Sequence, residues 1–146
     1  LGDLNNRGDA PGEMGDALPY VDLGTGRTAL SVTVGLGGGC AILDTGKAKC
    51  WGNSASGELG LGDTITRGDA PGEMGDALPF LDLGTGRTVK SFISGAQHRC
   101  ALLDSDLVKC WGQNSSAQLG LGDTNPRGTG LNQMGDNLPY IKLVGP

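Results

Sequence analysis

The chain has 146 residues, 28 of them glycine and 7 proline, with a formal net charge of −5. That balance lacks the basic face a nucleic-acid binder uses to neutralise phosphates, and no apolar run of roughly 18 residues offers a membrane-spanning helix. Apolar residues do not recur at helical spacing, so many tight turns between short strands are expected. The sequence opens in mid-motif without an initiator methionine, and reads as a mature product, a fragment or the ordered part of something longer.

A 60-residue shift aligns the chain with itself without a gap. Residues 1–60 and 61–120 agree at 36 of 60 positions, and residues 121–146 begin a third copy. Self-similarity at such a period is the signature of a repeat architecture. Three units follow: 1–60, 61–120 and a partial 121–146. Each full unit reads as four short strands. In the second they are 78–83 (LPFLDL), 88–94 (TVKSFIS), 99–104 (RCALLD) and 107–112 (LVKCWG), punctuated by Gly84, Gly86 and Gly95. Asp44-Thr45-Gly46 and Asp104-Ser105-Asp106 supply hairpin turns, because Asp, Ser and Gly tolerate turn dihedrals. Consecutive apolar residues such as Ala101, Leu102 and Leu103 suit strands buried on both faces between stacked sheets. Four-stranded sheets at this repeat length suggest the blades of a propeller.

The stretch CALLDSDLVKCWGQNSSAQLGLGDT, preceded by CAILDTGKAKCWGNSASGELGLGDT, resembles the regulator of chromosome condensation repeat family over essentially the whole chain. The resemblance implies an all-β fold of four-stranded antiparallel propeller blades, about seven of which close a ring in the family. Its variety with paired cysteines and the Arg-Gly-Asp…Met-Gly-Asp…Leu-Pro segment resembles secreted and cell-surface members. This chain supplies two blades and the start of a third, an open propeller. It is therefore expected to belong to a longer propeller or to assemble head to tail with copies of itself. Its terminal strand, Leu138, Pro139, Tyr140, Ile141, Lys142 and Leu143, is the expected assembly edge, since an unpaired edge strand needs a cover.

Four cysteines form two identical pairs, Cys40/Cys50 and Cys100/Cys110, each flanking a hairpin turn. Residues equidistant from a turn face one another across the strands, so two disulfides are expected. Each would contribute roughly 2–3 kcal/mol and would point to an oxidising, extracellular or cell-surface compartment. Free buried thiols are the alternative. Zinc is disfavoured by the absence of C-x2-C spacing.

Enzymatic constellations are thin. The lone histidine, His98, aligns with Gly38 and reads as structural. No convergent nucleophile, base and orienting group can be named, so a non-enzymatic protein without cofactor is expected. Asp63, Asp69, Glu73 and Asp76 share one loop and are weak calcium candidates, although Arg67 can satisfy one of them. Arg67-Gly68-Asp69 spells an adhesion tripeptide. The third copy, RGTGLNQMGDNLP, loses the aspartate and keeps Arg127, Gly128, Met134, Gly135, Asp136, Leu138 and Pro139, residue types that suit architecture. Trp51 and Trp111 read as core. Asn114 opens the one N-x-S/T sequon and is a glycosylation candidate on a surface loop. The expected function is an extracellular structural or adhesive module. A propeller that recognises a partner protein through its loop face, in the manner of an exchange factor or an inhibitor, is the alternative.

Overall fold

A computed structural model describes residues 1–142. It contains two three-stranded antiparallel sheets with one topology. The first is β1 (Ala29–Gly35), β2 (Gly38–Leu43) and β3 (Ala48–Gly52); the second is β4 (Val89–Ser94), β5 (His98–Leu103) and β6 (Val108–Gly112). The registers repeat at an offset of 60. Cys40 lies opposite Cys50 and Cys100 opposite Cys110, and a bulge interrupts β1 at Ala29/Ser31 and β4 at Val89/Ser91. Three short 3-10 turns, Gly15–Ala17, Gly75–Ala77 and Gly135–Asn137, mark the three copies of the Met-Gly-Asp segment.

The expected fourth strand is not a strand. Residues 78–83 run extended beside β3 and make one ladder-like bond, from the Leu81 amide to the Ala48 carbonyl, at 2.8 Å. Residues 138–142 do the same on β6 through Ile141 and Val108, also at 2.8 Å. Pro79 and Pro139 have no amide proton to donate, which limits any longer pairing there. Each sheet is thus bordered by a segment from the following repeat. The inner side of residues 138–142, which belong to the expected assembly edge, is seated on β6 through Ile141. Leu143 lies outside the described residues.

The core sits between the two sheets. Side chains alternate across a pleated strand, so each sheet has a cysteine face and a tryptophan face. The cysteine face of the first sheet (Cys40, Ile42, Ala48, Cys50) packs on the tryptophan face of the second (Phe92, Ala101, Leu103, Trp111), with Leu59, Leu81 and Leu138 closing the cluster. Phe92 meets Trp111 edge to face at 6.2 Å between ring centroids. The backbone carbonyl of Glu58 crosses the same seam, accepting Trp111 Nε1 at 3.0 Å and Arg99 at 3.1 Å. Both donors are buried, and desolvation holds the Arg99 guanidinium below its ordinary pKa.

The seam gives a direct asymmetry to test. Phe92 is 8% exposed, whereas Val32, at the same position one repeat earlier, is open to solvent. Phe92→Ala is expected to lose about 3 kcal/mol of unfolding free energy, and Val32→Ala less than about 0.5 kcal/mol. Chemical denaturation of the two variants checks this.

Candidate interaction surfaces

The Met-Gly-Asp residues of the second and third sequence copies build a clamp between repeats. Lys49, buried in β3, donates from Nζ to the Gly75 carbonyl at 2.6 Å and lies 4.7 Å from the Phe80 ring centroid. Lys109 repeats this on β6, with Nζ at 2.7 Å from the Gly135 carbonyl, 2.9 Å from the Leu83 carbonyl and 4.5 Å from the Tyr140 ring. A buried ammonium is tolerated only where carbonyls and an aromatic face replace its hydration. Desolvation lowers the pKa of both lysines, opposed by Asp76 and Asp22 around Lys49 and by Asp136 and Asp82 around Lys109.

The aspartate of Met-Gly-Asp completes the clamp. Asp76 accepts the Thr25 amide at 2.9 Å and the Thr25 hydroxyl at 2.6 Å, and Asp136 treats Thr85 identically. The Thr25 and Thr85 hydroxyls and amides hold these carboxyls below the usual carboxylate range. Gly24 has φ +111°, and a side chain there would press on the Asp76 carboxylate. Glycine at 24 therefore permits both the turn and the close approach.

The Arg-Gly half of the motif turns inward. The Arg67 backbone pairs with Gly52 in an isolated antiparallel bridge, and its guanidinium meets Asp63 at 2.9 Å and the Ile65 carbonyl. Glu73 accepts three amides in one loop, from Gly68, Asp69 and Ala70. Arg67-Gly68-Asp69 is thus a braced turn rather than a displayed ligand, which corrects the adhesion reading. The calcium reading is corrected with it. Asp63 is committed to Arg67, Glu73 to the loop amides and Asp76 to Thr25, and no three acidic, histidine or cysteine side chains converge among the described residues. Gln133 explains the third copy: its Oε1 accepts Thr129 and Gly130 amides as the glutamate does elsewhere. The position requires an acceptor, not a charge.

Asn114 is also corrected. It is fully buried, not on a surface loop. Its amide nitrogen donates to the carbonyls of Asp123 and Asn125, both at 2.9 Å, and its oxygen accepts the Leu119 amide. A glycan on that nitrogen is incompatible with this packing. Ser54, its counterpart, is buried in the same loop position. His98 packs its ring against Gly95.

Disulfides join Cys40 to Cys50 and Cys100 to Cys110, each with Cα atoms 4.1 Å apart. Their surroundings differ. The first is sealed between the sheets, while Cys100 is only half-buried on the outer face of the second. Along the seam a groove of about 460 Å³ is lined by Lys47, Phe80, Asp82 and Arg87 among others. No nucleophile with a general base joins them there. No helix among the described residues is long and apolar enough to cross a membrane.

Sheets stacked face to face, each bordered by a segment of the next repeat, define blades of a β-propeller. No protein-family model matches the chain. Among curated proteins it is similar to the probable E3 ubiquitin-protein ligase HERC4 of Homo sapiens, 30% identical over 89 residues, which is 60% of this chain and 8% of the relative. It is likewise similar to the ultraviolet-B receptor UVR8 of Arabidopsis thaliana, 30% identical over 87 residues, 60% of this chain and 18% of that protein. Among solved structures, human WBSCR16 superposes with a TM-score of 0.59 at 17% identity, covering 88% of this chain and 30% of the other. Prp20p of Saccharomyces cerevisiae gives 0.60 at 18% identity, covering 84% and 27%. The chain is built from repeats of the regulator of chromosome condensation family, and it spans under a third of each of these proteins.

Two measurements test these surfaces. Glu13 and Glu73 have carboxyls held below their usual range by loop amides. A depressed folded-state pKa contributes stability above the unfolded value that is lost as pH falls through the folded one. Acidification below about pH 4.5 is expected to loosen the Gly68 and Ala70 amides, while Thr129 and Gly130, held by Gln133, stay protected. Amide NMR across the titration checks this, and Glu73→Gln is expected to abolish the difference. Under limiting reductant with alkylation, peptide mapping is expected to find Cys100 and Cys110 labelled before Cys40 and Cys50.

Proposed function

We propose that the chain is a non-enzymatic protein-interaction module of propeller blades working in an oxidising compartment. The likeness to solved propellers that are described by their protein complexes carries this reading. The tryptophan face of the first sheet leaves Val32 and Val34 exposed, and the cysteine face of the second leaves Ile93 exposed. These side chains lie on the surfaces that blades use to bind one another. Two solved neighbours are described by their protein complexes: Prp20p for its binding to Gsp1p and histones, and yeast RCC1 (Prp20) for its complex with Kap60. A protein ligand is the corresponding expectation here. The two disulfides support an extracellular or cell-surface setting. The units 1–60, 61–120 and 121–146 are then sequence repeats whose sheets are bordered by the unit that follows.

The purified, oxidised chain immobilised on a sensor is expected to bind a protein partner saturably at micromolar or tighter affinity. Retention by charge alone, abolished by moderate salt, would sink this reading. So would a turnover activity that co-purifies with the chain through successive columns.

A further inference from the structure

The groove along the seam carries chemistry that the fold does not use. It lies between the β2–β3 turn and the start of β4, and both of its walls come from residues 45–89. The turn is fixed on the second blade. The Val89 amide donates to the Gly46 carbonyl at 2.9 Å, and Gly46 lies directly against the Thr88 side chain. Leu81, Leu83 and Val89 line the groove as an apolar floor, none more than 9% exposed. Phe80 stands at its edge, 45% exposed, with Lys49 4.7 Å from its ring centroid. A groove of about 460 Å³ is the size of sites that take small organic ligands.

The charges around that floor do not balance. Arg87 lies 3.6 Å from Asp104. Asp82 is turned to the third repeat: its Oδ1 accepts the Gly84 amide at 2.9 Å, its carboxylate lies against Gly135, and its charge acts on Lys109. Lys49 is answered by Asp76 and Asp22. Lys47 remains. It is exposed, lies 5.2 Å from the Phe80 ring centroid, and has no ion pair among the described residues. The fold does not require it, since the clamp is closed by Lys49 and the counterpart of Lys47 in the second repeat is Leu107.

We infer that this groove binds a small organic monocarboxylate with an aromatic or branched aliphatic body. Its carboxylate meets the Lys47 ammonium, and the remaining N–H donors of Arg87 add a second contact. Its body covers Leu81 and Val89 beside the Phe80 ring, removing apolar surface from water. One unanswered positive charge matches a monoanion. A phosphate dianion brings a second negative charge that no cation of the groove is free to meet.

The inference stands apart from the protein-interaction reading and is tested apart from it. The oxidised full chain is titrated with hydrocinnamate and followed by amide NMR. Saturable shifts are expected at Gly46, Lys47, Leu81, Gly86 and Thr88, with a dissociation constant of about millimolar. Hydrocinnamyl alcohol keeps the body and loses the charge; propionate keeps the charge and loses the body. Each is expected to bind about fivefold or more weakly. Lys47→Gln is expected to weaken hydrocinnamate about fivefold. Lys90→Gln, which removes a charge outside the groove, is expected to leave it unchanged. Circular dichroism confirms that both variants are folded. Inorganic phosphate is expected to give no saturable shift at these amides. A hydrocinnamate titration without saturable shifts overturns the inference. So does equal affinity for the acid and the alcohol, an unchanged affinity in Lys47→Gln, or phosphate bound as tightly as hydrocinnamate. None of these outcomes decides the sensor experiment with a protein partner.

Discussion

A buried lysine holding the carbonyl of the next repeat is the interaction on which the other seams depend. Lys49 and Lys109 sit in strands whose neighbours are apolar, and each reaches out of its own sheet to a glycine carbonyl 26 residues further on. An ammonium at such a depth must be solvated by the protein, and an apolar core has few acceptors to offer. The 3-10 turn of the following repeat presents its glycine oxygen, and the aromatic ring of the outer segment presents its face. Once the lysine is satisfied, the outer segment lies along the strand, the Met-Gly-Asp aspartate reaches the threonine turn, and the leucines of that segment close the cluster between sheets.

This arrangement explains which parts of the repeated segment are fixed. Gly75 contributes both its amide, to Asp22, and its carbonyl, to Lys49. Asp76 contributes both carboxylate oxygens to Thr25. The first half of the segment closes on itself, so its requirement is softer: an acceptor at position 73 that glutamine satisfies equally at 133. A stretch that spells an adhesion motif is, in three dimensions, one half a self-braced turn and one half a lock.

Much of this was legible in the sequence, and the failures have physical causes. The period, the strands facing the cysteines, the hairpin turns and the all-β class follow from local pattern. The registry of residues 78–83 does not, because a single amide-to-carbonyl bond to a neighbouring repeat leaves no periodicity to read. Asn114 misled because a sequon reports three residue types and not burial; its alignment with Ser54, a small polar residue in the same loop, was the available warning. The acidic cluster misled because proximity in sequence hid three separate sets of partners. Lys49 and Lys109 were missed as determinants, although a lysine repeated amid alanine, valine, cysteine and tryptophan is an unusual thing to bury and could have marked the site.

The border segment has a consequence for how the chain is made. The hydrogen bonds that tie Thr25 to Asp76 span 51 residues, and the outer edge of β3 is covered by Arg67 at Gly52 and by Leu81 at Ala48. During synthesis at about 5–20 residues per second, the first sheet emerges several seconds before its cover. In that interval β3 presents an open edge, and Lys49 has only water in place of the Gly75 carbonyl and the Phe80 ring. The stretch from residue 53 to residue 83 is thus the one whose emergence completes the first blade.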